Sequence, residues 1–194
     1  MRIEGQKIAV LMESDFYEPE ILYYQRRFAE EGGEVHFLTR LWGNDRIVFR
    51  GHEYRMPFEV DESFEDMGEY DLKEYGAVIV PSGIVADRLR YTDQVDKLPP
   101  AALFLRRAFA DPAIVKGIIC HGMWLAAPIP SVIRGRRAVV HNNLLGDLRN
   151  MGGVYIDEDV VVDDDLVTAR TGNHCHLFAR TIIDQLALRA PRNA

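Results

Sequence analysis

Residues 113–127 read AIVKGIICHGMWLAA, and this stretch decides the fold class. Its first half, Ala113–Ile119, is mostly apolar and predicts a buried strand. The strand leads directly into Cys120, His121 and Gly122, which are followed by a helix-forming segment. A strand that turns sharply into a helix is typical of a nucleophile elbow, in which one side chain projects over the end of a sheet. The stretch therefore predicts an α/β fold with Cys120 at the edge of the sheet.

Apolar runs of the same kind recur along the chain and alternate with helical patterns. Strands are predicted at Lys7–Met12, Val35–Thr39, Gly76–Val80, Ala138–His141, Asp159–Val162 and Leu166–Ala169. Helices are predicted from Pro19 to about Glu31, over Pro99–Ala110 and over His174–Ala187. Residues 46–60 alternate polar and apolar side chains, which predicts a small antiparallel hairpin. The alternation predicts a mostly parallel sheet with helices on both faces, whose active site lies at the carboxyl ends of the strands.

Length and composition limit the function classes. At 194 residues, the chain is predicted to form a single domain over residues 1–194. The net charge of −7 argues against nucleic-acid binding, which needs a basic face. No apolar run approaches the ~20 residues that span a bilayer. The N-terminal apolar stretch is too short and too interrupted for a secretory signal. We therefore expect a cytoplasmic protein with no membrane partner.

The two cysteines, Cys120 and Cys175, are too few for a disulfide framework. A thiol at the start of a helix lies near unpaired N–H groups and the positive end of the helix dipole, both of which favour the thiolate. Cys120 is therefore the candidate nucleophile, and the alternative is a buried, unreactive cysteine. Cys175 is expected to be a packing residue. Because the sequence has neither metal-ligand spacings nor nucleotide-binding motifs, we expect no metal and no cofactor.

Four stretches carry a resemblance to a known family. They are AVLMESDFYEPEI near the start, AVIVPSGIVADRLR, IICHGMWLAA, and RGRRAVVHNNLLGDLRNMGGVYIDEDVVVDDDLVTARTG. In this order the chain resembles the ThiJ/PfpI family of the class I glutamine-amidotransferase-like superfamily. The adjacent Cys120 and His121 resemble the protease-like branch of that family. The resemblance implies a flavodoxin-like three-layer sandwich, a cysteine nucleophile, and a homodimer or higher homo-oligomer.

The resemblance also implies catalytic roles for individual residues. Cys120 matches the nucleophile, and His121 matches the histidine beside it. A glutamate of the first helix lies near the thiol in this family and matches Glu20. Glu18 is the competing position, because the DFYEPE segment is one residue out of register in an ungapped alignment. A carboxyl group so close to a thiol should be protonated and donate a hydrogen bond to the thiolate.

Two turn segments complete the implied catalytic machinery. Gly83 matches a glycine whose N–H helps to form an oxyanion hole, with the N–H of His121 as the second donor. Ser82 stands where the family usually has another glycine. Asp87 matches a carboxylate from a neighbouring subunit that orients the histidine, although glutamate is more usual there. The alternative is an exposed Asp87 paired with a nearby arginine.

Further polar residues are candidates for the substrate pocket. They are Ser82, His141, Asn142, His174 and Glu18. His141 and Asn142 lie at the end of a predicted strand, although asparagines in such loops often only shape the backbone. His174 occupies the loop-to-helix region where glutamine amidotransferases keep their catalytic histidine. His174, Cys175 and His176 are too closely spaced to form a zinc site by themselves.

These features predict a cysteine-nucleophile hydrolase or lyase that acts on a small carbonyl or amide compound. Cys120 forms a thiohemiacetal or thioester-like adduct in this interpretation, and His121 or Glu20 moves protons. The resemblance implies amidase or peptidase, α-oxoaldehyde hydratase or isonitrile hydratase activity, without a choice among them. The expected partner is a small-molecule or peptide substrate. The alternative is a non-catalytic stress, redox-sensing or chaperone protein with an oxidisable Cys120.

Overall fold

A mostly parallel sheet lies at the centre of the computed structural model, which describes residues 1–65 and 67–189. The strands are β1 (Lys7–Leu11), β2 (Glu34–Thr39), β3 (Ile47–Arg50), β4 (Pro57–Val60), β5 (Glu62–Ser63), β6 (Tyr75–Val80), β7 (Val115–Ile119), β8 (Arg137–Ala138), β9 (Val154–Tyr155), β10 (Val160–Asp163) and β11 (Leu166–Ala169). The α-helices are α1 (Glu18–Glu30), α2 (Glu69–Leu72), α3 (Val85–Leu89), α4 (Pro100–Ala110), α5 (Leu145–Asn150) and α6 (Cys175–Arg189). Among the described residues, no helix has the length and apolar character that crossing a membrane requires.

The strand order of the central sheet is β10-β11-β7-β6-β1-β2-β5. Neighbouring strands run parallel, except that β10 is antiparallel to β11. β3 and β4 form a separate antiparallel hairpin, as the alternating pattern of residues 46–60 predicts. The chain order reverses where β1 lies beside β6, and ligands of α/β sheets bind at such a switch point. The predicted flavodoxin-like fold with a small hairpin is therefore confirmed.

Helices cover both faces of the central sheet. Successive residues of a strand point to opposite faces, and Lys116 and Gly117 of β7 show what lies on each side. A Cβ at Gly117 would lie 2.7 Å from the Phe178 ring, so α6 packs directly over this glycine. The Lys116 ammonium lies on the other side, 5.4 Å from the ring centre of Phe109 in α4. The close approach of α6 to the sheet therefore depends on the missing side chain at Gly117.

Helix α1 brings two glutamates into the interior. Pro19 lies in its first turn, and Gly32, just beyond its end, has a φ of 84° that favours glycine. The Tyr24 ring packs on Phe178 of α6, with ring centroids 6.1 Å apart. The buried residues of α1 are Glu18, Glu20, Ile21, Tyr24 and Phe28. Aromatic packing therefore fixes the helix that carries both candidate carboxyl groups.

The predicted strand over Ala138–His141 is wrong for most of its length. Only Arg137–Ala138 forms a ladder, and its partner is β9 rather than a strand of the central sheet. The Val139 N–H donates to the Thr168 hydroxyl at 2.9 Å, so a side chain replaces the neighbouring strand as its acceptor. His141 then precedes a 3-10 helix. The apolar residues of this segment are buried against the sheet without belonging to it.

Lys116 of β7 is fully buried, and its ammonium is paired with the Asp165 carboxylate. The ammonium also donates to the Asp111 carbonyl at 3.0 Å. Arg136 binds the second carboxylate oxygen of Asp165 at 2.7 Å. A buried charge that loses its partner is strongly destabilising. This cluster therefore fixes the turn between β10 and β11 against β7.

We predict that Asp165→Asn lowers the free energy of unfolding by about 3 kcal/mol, because it leaves the Lys116 ammonium buried without an anion. Urea denaturation measures the change. Asp164→Asn is the matched control, because the Asp164 side chain is 84% exposed and its ion pair with Arg189 spans 3.6 Å. The control should change stability by less than about 0.5 kcal/mol. Equal effects of the two substitutions would contradict the assignment.

Candidate active site

Cys120 follows the last residue of β7 in a backbone conformation that directs its side chain over the sheet edge. Its φ of 57° lies in the left-handed region, which residues other than glycine rarely adopt. The turn is so tight that a Cβ at Gly122 would lie 2.6 Å from the Val80 carbonyl oxygen. Residues Cys120–Ala126 form a 3-10 helix instead of an α-helix. The structure thus has a strand–turn–helix elbow in a tighter form than the sequence predicts.

The Cys120 sulfur contacts several hydrogen-bonding groups. The His121 Nδ1 atom lies 3.2 Å from the sulfur. The backbone N–H groups of His121 and Gly172 also hydrogen-bond it and favour the thiolate. Burial outweighs them and, together with the negative charge of Glu20, raises the pKa of the Cys120 thiol to about 11. N–H groups that favour the thiolate are therefore present, as predicted, but the cost of burial exceeds their effect and the thiol form is favoured.

Glu20 is the first-helix glutamate that lies beside the thiol. Its side chain is fully buried, and its carboxyl accepts the Ser82 N–H at 3.1 Å and the Ser82 hydroxyl. Burial raises the pKa of Glu20 to about 7, although the hydrogen bonds from Ser82 and the nearby Tyr24 phenol oppose the rise. Cys120 and Glu20 together therefore carry at most one negative charge at neutral pH. Ser82 acts on the carboxyl group and does not replace the expected glycine in an oxyanion hole.

Glu18 points away from the thiol and binds the β3–β4 hairpin. Its carboxylate accepts the backbone N–H groups of Glu53 and Tyr54 at 2.9 and 2.8 Å. Burial alone would raise the pKa of Glu18, but the backbone hydrogen bonds outweigh it and lower the pKa. A Cβ at Gly51 would lie 2.0 Å from the Glu18 carboxyl carbon, so glycine is required there. Glu18 is therefore not a pocket residue, contrary to expectation, but it holds the hairpin that borders the pocket.

Aromatic rings flank His121 on two sides. The His141 ring centroid lies 4.6 Å from that of His121, and the Trp124 ring meets His121 edge-on at 4.9 Å. Burial lowers the pKa of His121, and the neighbouring His141 lowers it further. His121 is therefore neutral at pH 7 and able to accept a proton. His141 lines the pocket, as its position after the apolar run suggests.

Gly83 and Asp87 lie at the outer part of the cleft. The φ of Gly83 is 82°, and a Cβ there would lie 2.5 Å from the Asp15 carbonyl oxygen. Within the described part of the chain, no acceptor takes the Gly83 N–H in a hydrogen bond. Asp87 and His121 line one recess of about 490 Å³, where the Asp87 carboxylate pairs with Arg90 at 3.3 Å. Within one chain, Asp87 is thus paired with a nearby arginine, which is the alternative to its role in orienting the histidine.

Two predicted pocket residues lie elsewhere. The His174 imidazole contacts the Thr171 hydroxyl at 2.9 Å and lies 3.4 Å from the Asp159 carboxylate. These contacts hold it outside the pocket lining. Asn142 belongs to the 3-10 helix Asn142–Leu144 and is likewise absent from the lining. The lining of the pocket above Cys120 therefore does not include these two residues.

The pocket above Cys120 has a volume of about 300 Å³. It is lined by Tyr17, His52, Glu53, Ser82, Gly83, Cys120, His121, His141, Thr171, Gly172 and Asn173. The Tyr17 hydroxyl donates to Asn173 Oδ1 at 2.9 Å and forms one wall. His52 and Glu53 were missed because their approach depends on the Glu18 contact, which leaves no local sequence pattern. In residues 1–65 and 67–189, no three His, Cys, Asp or Glu side chains are arranged to hold a metal ion.

Comparison with known proteins finds relatives that match this chain over nearly its whole length. The chain is 27% identical over 180 residues to Deglycase PfpI from Pyrococcus furiosus, which covers 93% of this chain and 99% of the relative. It is 28% identical over 177 residues to Protein/nucleic acid deglycase 2 from Escherichia coli, which covers 91% of this chain and 95% of the relative.

A solved structure shares the fold. It is a two-domain protein from Anabaena variabilis that contains DJ-1/ThiJ/PfpI-like and ferritin-like domains. The match has a TM-score of 0.82 at 24% identity and covers 97% of this chain and 52% of that one. The sequence profile of the DJ-1/PfpI family matches residues 6–185, nearly the whole chain. The chain therefore belongs to the DJ-1/PfpI family.

Proposed function

We propose that this chain is a cysteine-dependent enzyme, a hydrolase or lyase in type, that adds the Cys120 thiol to a small carbonyl substrate. The main support for the proposal is the contact between Cys120 Sγ and His121 Nδ1, which lie 3.2 Å apart at the base of the pocket. A neutral imidazole at this distance can accept the thiol proton during attack. A pocket of about 300 Å³ suits a small molecule or one side chain of a peptide. The deglycase names of two relatives support carbonyl chemistry.

The first step is addition of sulfur to the carbonyl carbon. The S–C bond forms as the thiol proton passes to His121 or Glu20, and the carbonyl π electrons move onto oxygen. The Gly83 N–H, which has no other acceptor in the described part of the chain, is the proposed donor to that oxygen. The His121 N–H is the proposed second donor, although it hydrogen-bonds the sulfur in the resting site.

An α-oxoaldehyde substrate leads to a 2-hydroxy acid without an external oxidant. The thiohemiacetal loses its C–H proton to a base, and the adjacent ketone carbon is protonated in return. This internal redox step oxidises the aldehyde carbon to a thioester and reduces the ketone carbon to an alcohol. Water then hydrolyses the thioester and releases the Cys120 thiol. An amide substrate follows the same addition, and its amine leaves as the acyl thioester forms.

We predict that Cys120→Ala abolishes turnover, with a fall of at least about a thousandfold, because the nucleophile is lost. Methylglyoxal, amide or peptide substrates, and isonitriles are tested with wild type and variant. Cys175→Ala is the matched control, because Cys175 does not line the pocket, and it should retain wild-type turnover. Circular dichroism checks that both variants fold.

If the wild-type protein turns over no substrate of the three classes, the enzymatic function is rejected. The redox alternative makes a different prediction for the same protein. Peroxide would then add one or two oxygens to Cys120, as measured by mass spectrometry, while no substrate is consumed.

We further propose that the protein is a cytoplasmic homo-oligomer in which Asp87 of one copy orients His121 of another. The common recess of Asp87 and His121 supports this proposal, because it opens at the cleft where a second chain can approach. A reducing compartment suits the two free cysteines.

Complementation tests the role of Asp87 between subunits. Asp87→Ala should lower turnover at least about tenfold, because the imidazole loses its orienting partner. An equal mixture of Asp87→Ala and Cys120→Ala chains, unfolded and refolded together, should regain about a quarter of wild-type activity for a dimer. Each mixed dimer then has one site with an intact Cys120 and a partner's Asp87. No gain over Asp87→Ala alone would exclude the shared site.

We predict that Glu20→Gln removes part of the loss of stability that occurs as the pH rises from about 4.5 to about 7. Burial raises the pKa of folded Glu20 from 4.5 to about 7, so its contribution to stability is present below pH 4.5 and is lost as the pH rises through 7. The variant lacks this titration and should lose about 2.5 kcal/mol less than wild type between pH 5 and 8. Urea denaturation at the two pH values measures it.

Glu18→Gln is the matched control for this titration. Backbone hydrogen bonds lower the pKa of Glu18, so this carboxylate is ionised throughout the window. The control should lose stability equally at pH 5 and pH 8. If Glu20→Gln keeps the full pH dependence of wild type, Glu20 is not the titrating group.

A further inference from the structure

Tyr24 has a buried hydroxyl that no other part of the site explains. It follows Glu20 by four residues on α1, so the two side chains share one face of the helix. Both side chains are fully buried. Among the described residues, the Tyr24 hydroxyl has no partner in good hydrogen-bond geometry. A buried hydroxyl without a partner costs free energy and requires an explanation.

The Tyr24 ring cannot turn its hydroxyl away. Its centroid lies 5.6 Å from that of Phe28 and 6.1 Å from that of Phe178, so neighbours on α1 and α6 enclose it. The acceptor that this hydroxyl can reach is the Glu20 carboxyl, whose pKa the nearby phenol lowers. Burial raises the pKa of Tyr24 well above its usual value, and the charge of Glu20 adds to the rise. The phenol therefore stays protonated and remains a donor.

The Glu20 carboxyl has one oxygen available to Tyr24. The Ser82 hydroxyl and N–H both contact Oε2, and Oε1 has only a longer contact of 3.4 Å with the same N–H. The titratable groups around this carboxyl are the phenols of Tyr17 and Tyr24 and the thiols of Cys120 and Cys175. None of them is a cation. Ionised Glu20 therefore relies on neutral donors, and beside Ser82 the unpartnered Tyr24 hydroxyl is the candidate for the second one.

We propose that Tyr24 is a positioning residue whose O–H donates to Glu20 Oε1 when Glu20 is ionised, so that this phenol sets the pH at which Glu20 accepts a proton from Cys120. The proposal rests on the role in proton transfer proposed above for Glu20. When Glu20 is protonated, the phenol loses most of the benefit of this bond, because a neutral carboxyl is a weaker acceptor than a carboxylate.

The test is an infrared titration of the protonated Glu20 carboxyl, assigned by its loss in Glu20→Gln. Tyr24→Phe keeps the aromatic ring and removes the donor, so the midpoint should rise by about one pH unit, which is tenfold less ionisation at a given pH. Tyr23→Phe is the matched control, because Tyr23 is the adjacent, partly buried phenol of α1, and its midpoint should equal that of wild type. A merely structural role of Tyr24 would change thermal stability without moving the midpoint.

Site-specific 3-fluorotyrosine at position 24 tests the same bond with the opposite sign and without removing a group. Its more acidic hydroxyl is a stronger donor, so the midpoint should fall. It also serves if Tyr24→Phe does not fold. An unchanged midpoint in either folded protein would overturn the proposal. The titration needs no substrate, so the two proposals can fail separately. Turnover without a midpoint shift would reject only the role of Tyr24. A midpoint shift without turnover would support the hydrogen bond and reject the enzymatic function.

Discussion

The burial of the Glu20 carboxyl beside the Cys120 sulfur is the constraint on which the rest of the site depends. Two acidic groups buried close together cannot both be ionised without a large cost in free energy. No cation among the described residues offsets that cost at Glu20. Neutral donors stabilise the charge instead, Ser82 at the carboxyl and the N–H groups of His121 and Gly172 at the sulfur. The turn that carries each donor sets its position. The sheet edge therefore stabilises a single negative charge, held either by Glu20 or by Cys120.

The parallel sheet brings these turns together. Glu20 lies on the helix that follows β1, Ser82 follows β6, Cys120 follows β7 and Gly172 follows β11. Carboxyl ends of parallel strands meet at one edge, and at two turns the backbone approaches as closely as glycine allows. A side chain at Gly122 would collide with the Val80 carbonyl, and one at Gly172 would collide with the Ser82 hydroxyl. Hydrogen bonds to the sulfur therefore require the absence of side chains at these positions.

The sequence predicts the fold better than it predicts the site. Long apolar strands, the elbow and the hairpin of residues 46–60 each leave a local pattern, and all three are present. At residues 139–141 the apolar run predicts a strand that is not formed, because a segment buried against a sheet is as apolar in sequence as a strand within it. The sequence pattern also cannot separate Glu18 from Glu20, since both lie on the buried side of α1 and only their tertiary partners differ. The approach of His52 to the pocket depends on a contact distant in sequence, and no periodicity records it.

The way in which Glu18 binds the β3–β4 hairpin has a consequence for how this protein can diverge. Its carboxylate accepts hydrogen bonds from the main-chain N–H groups of Glu53 and Tyr54, which any side chain at these positions leaves in place. At Gly51, by contrast, the contact requires glycine. Substitutions at His52 or Glu53 keep the main-chain contact with Glu18 while they change side chains that line the pocket. The side chains at the hairpin tip can therefore change at little cost to folding, and such changes alter the lining of the pocket above Cys120.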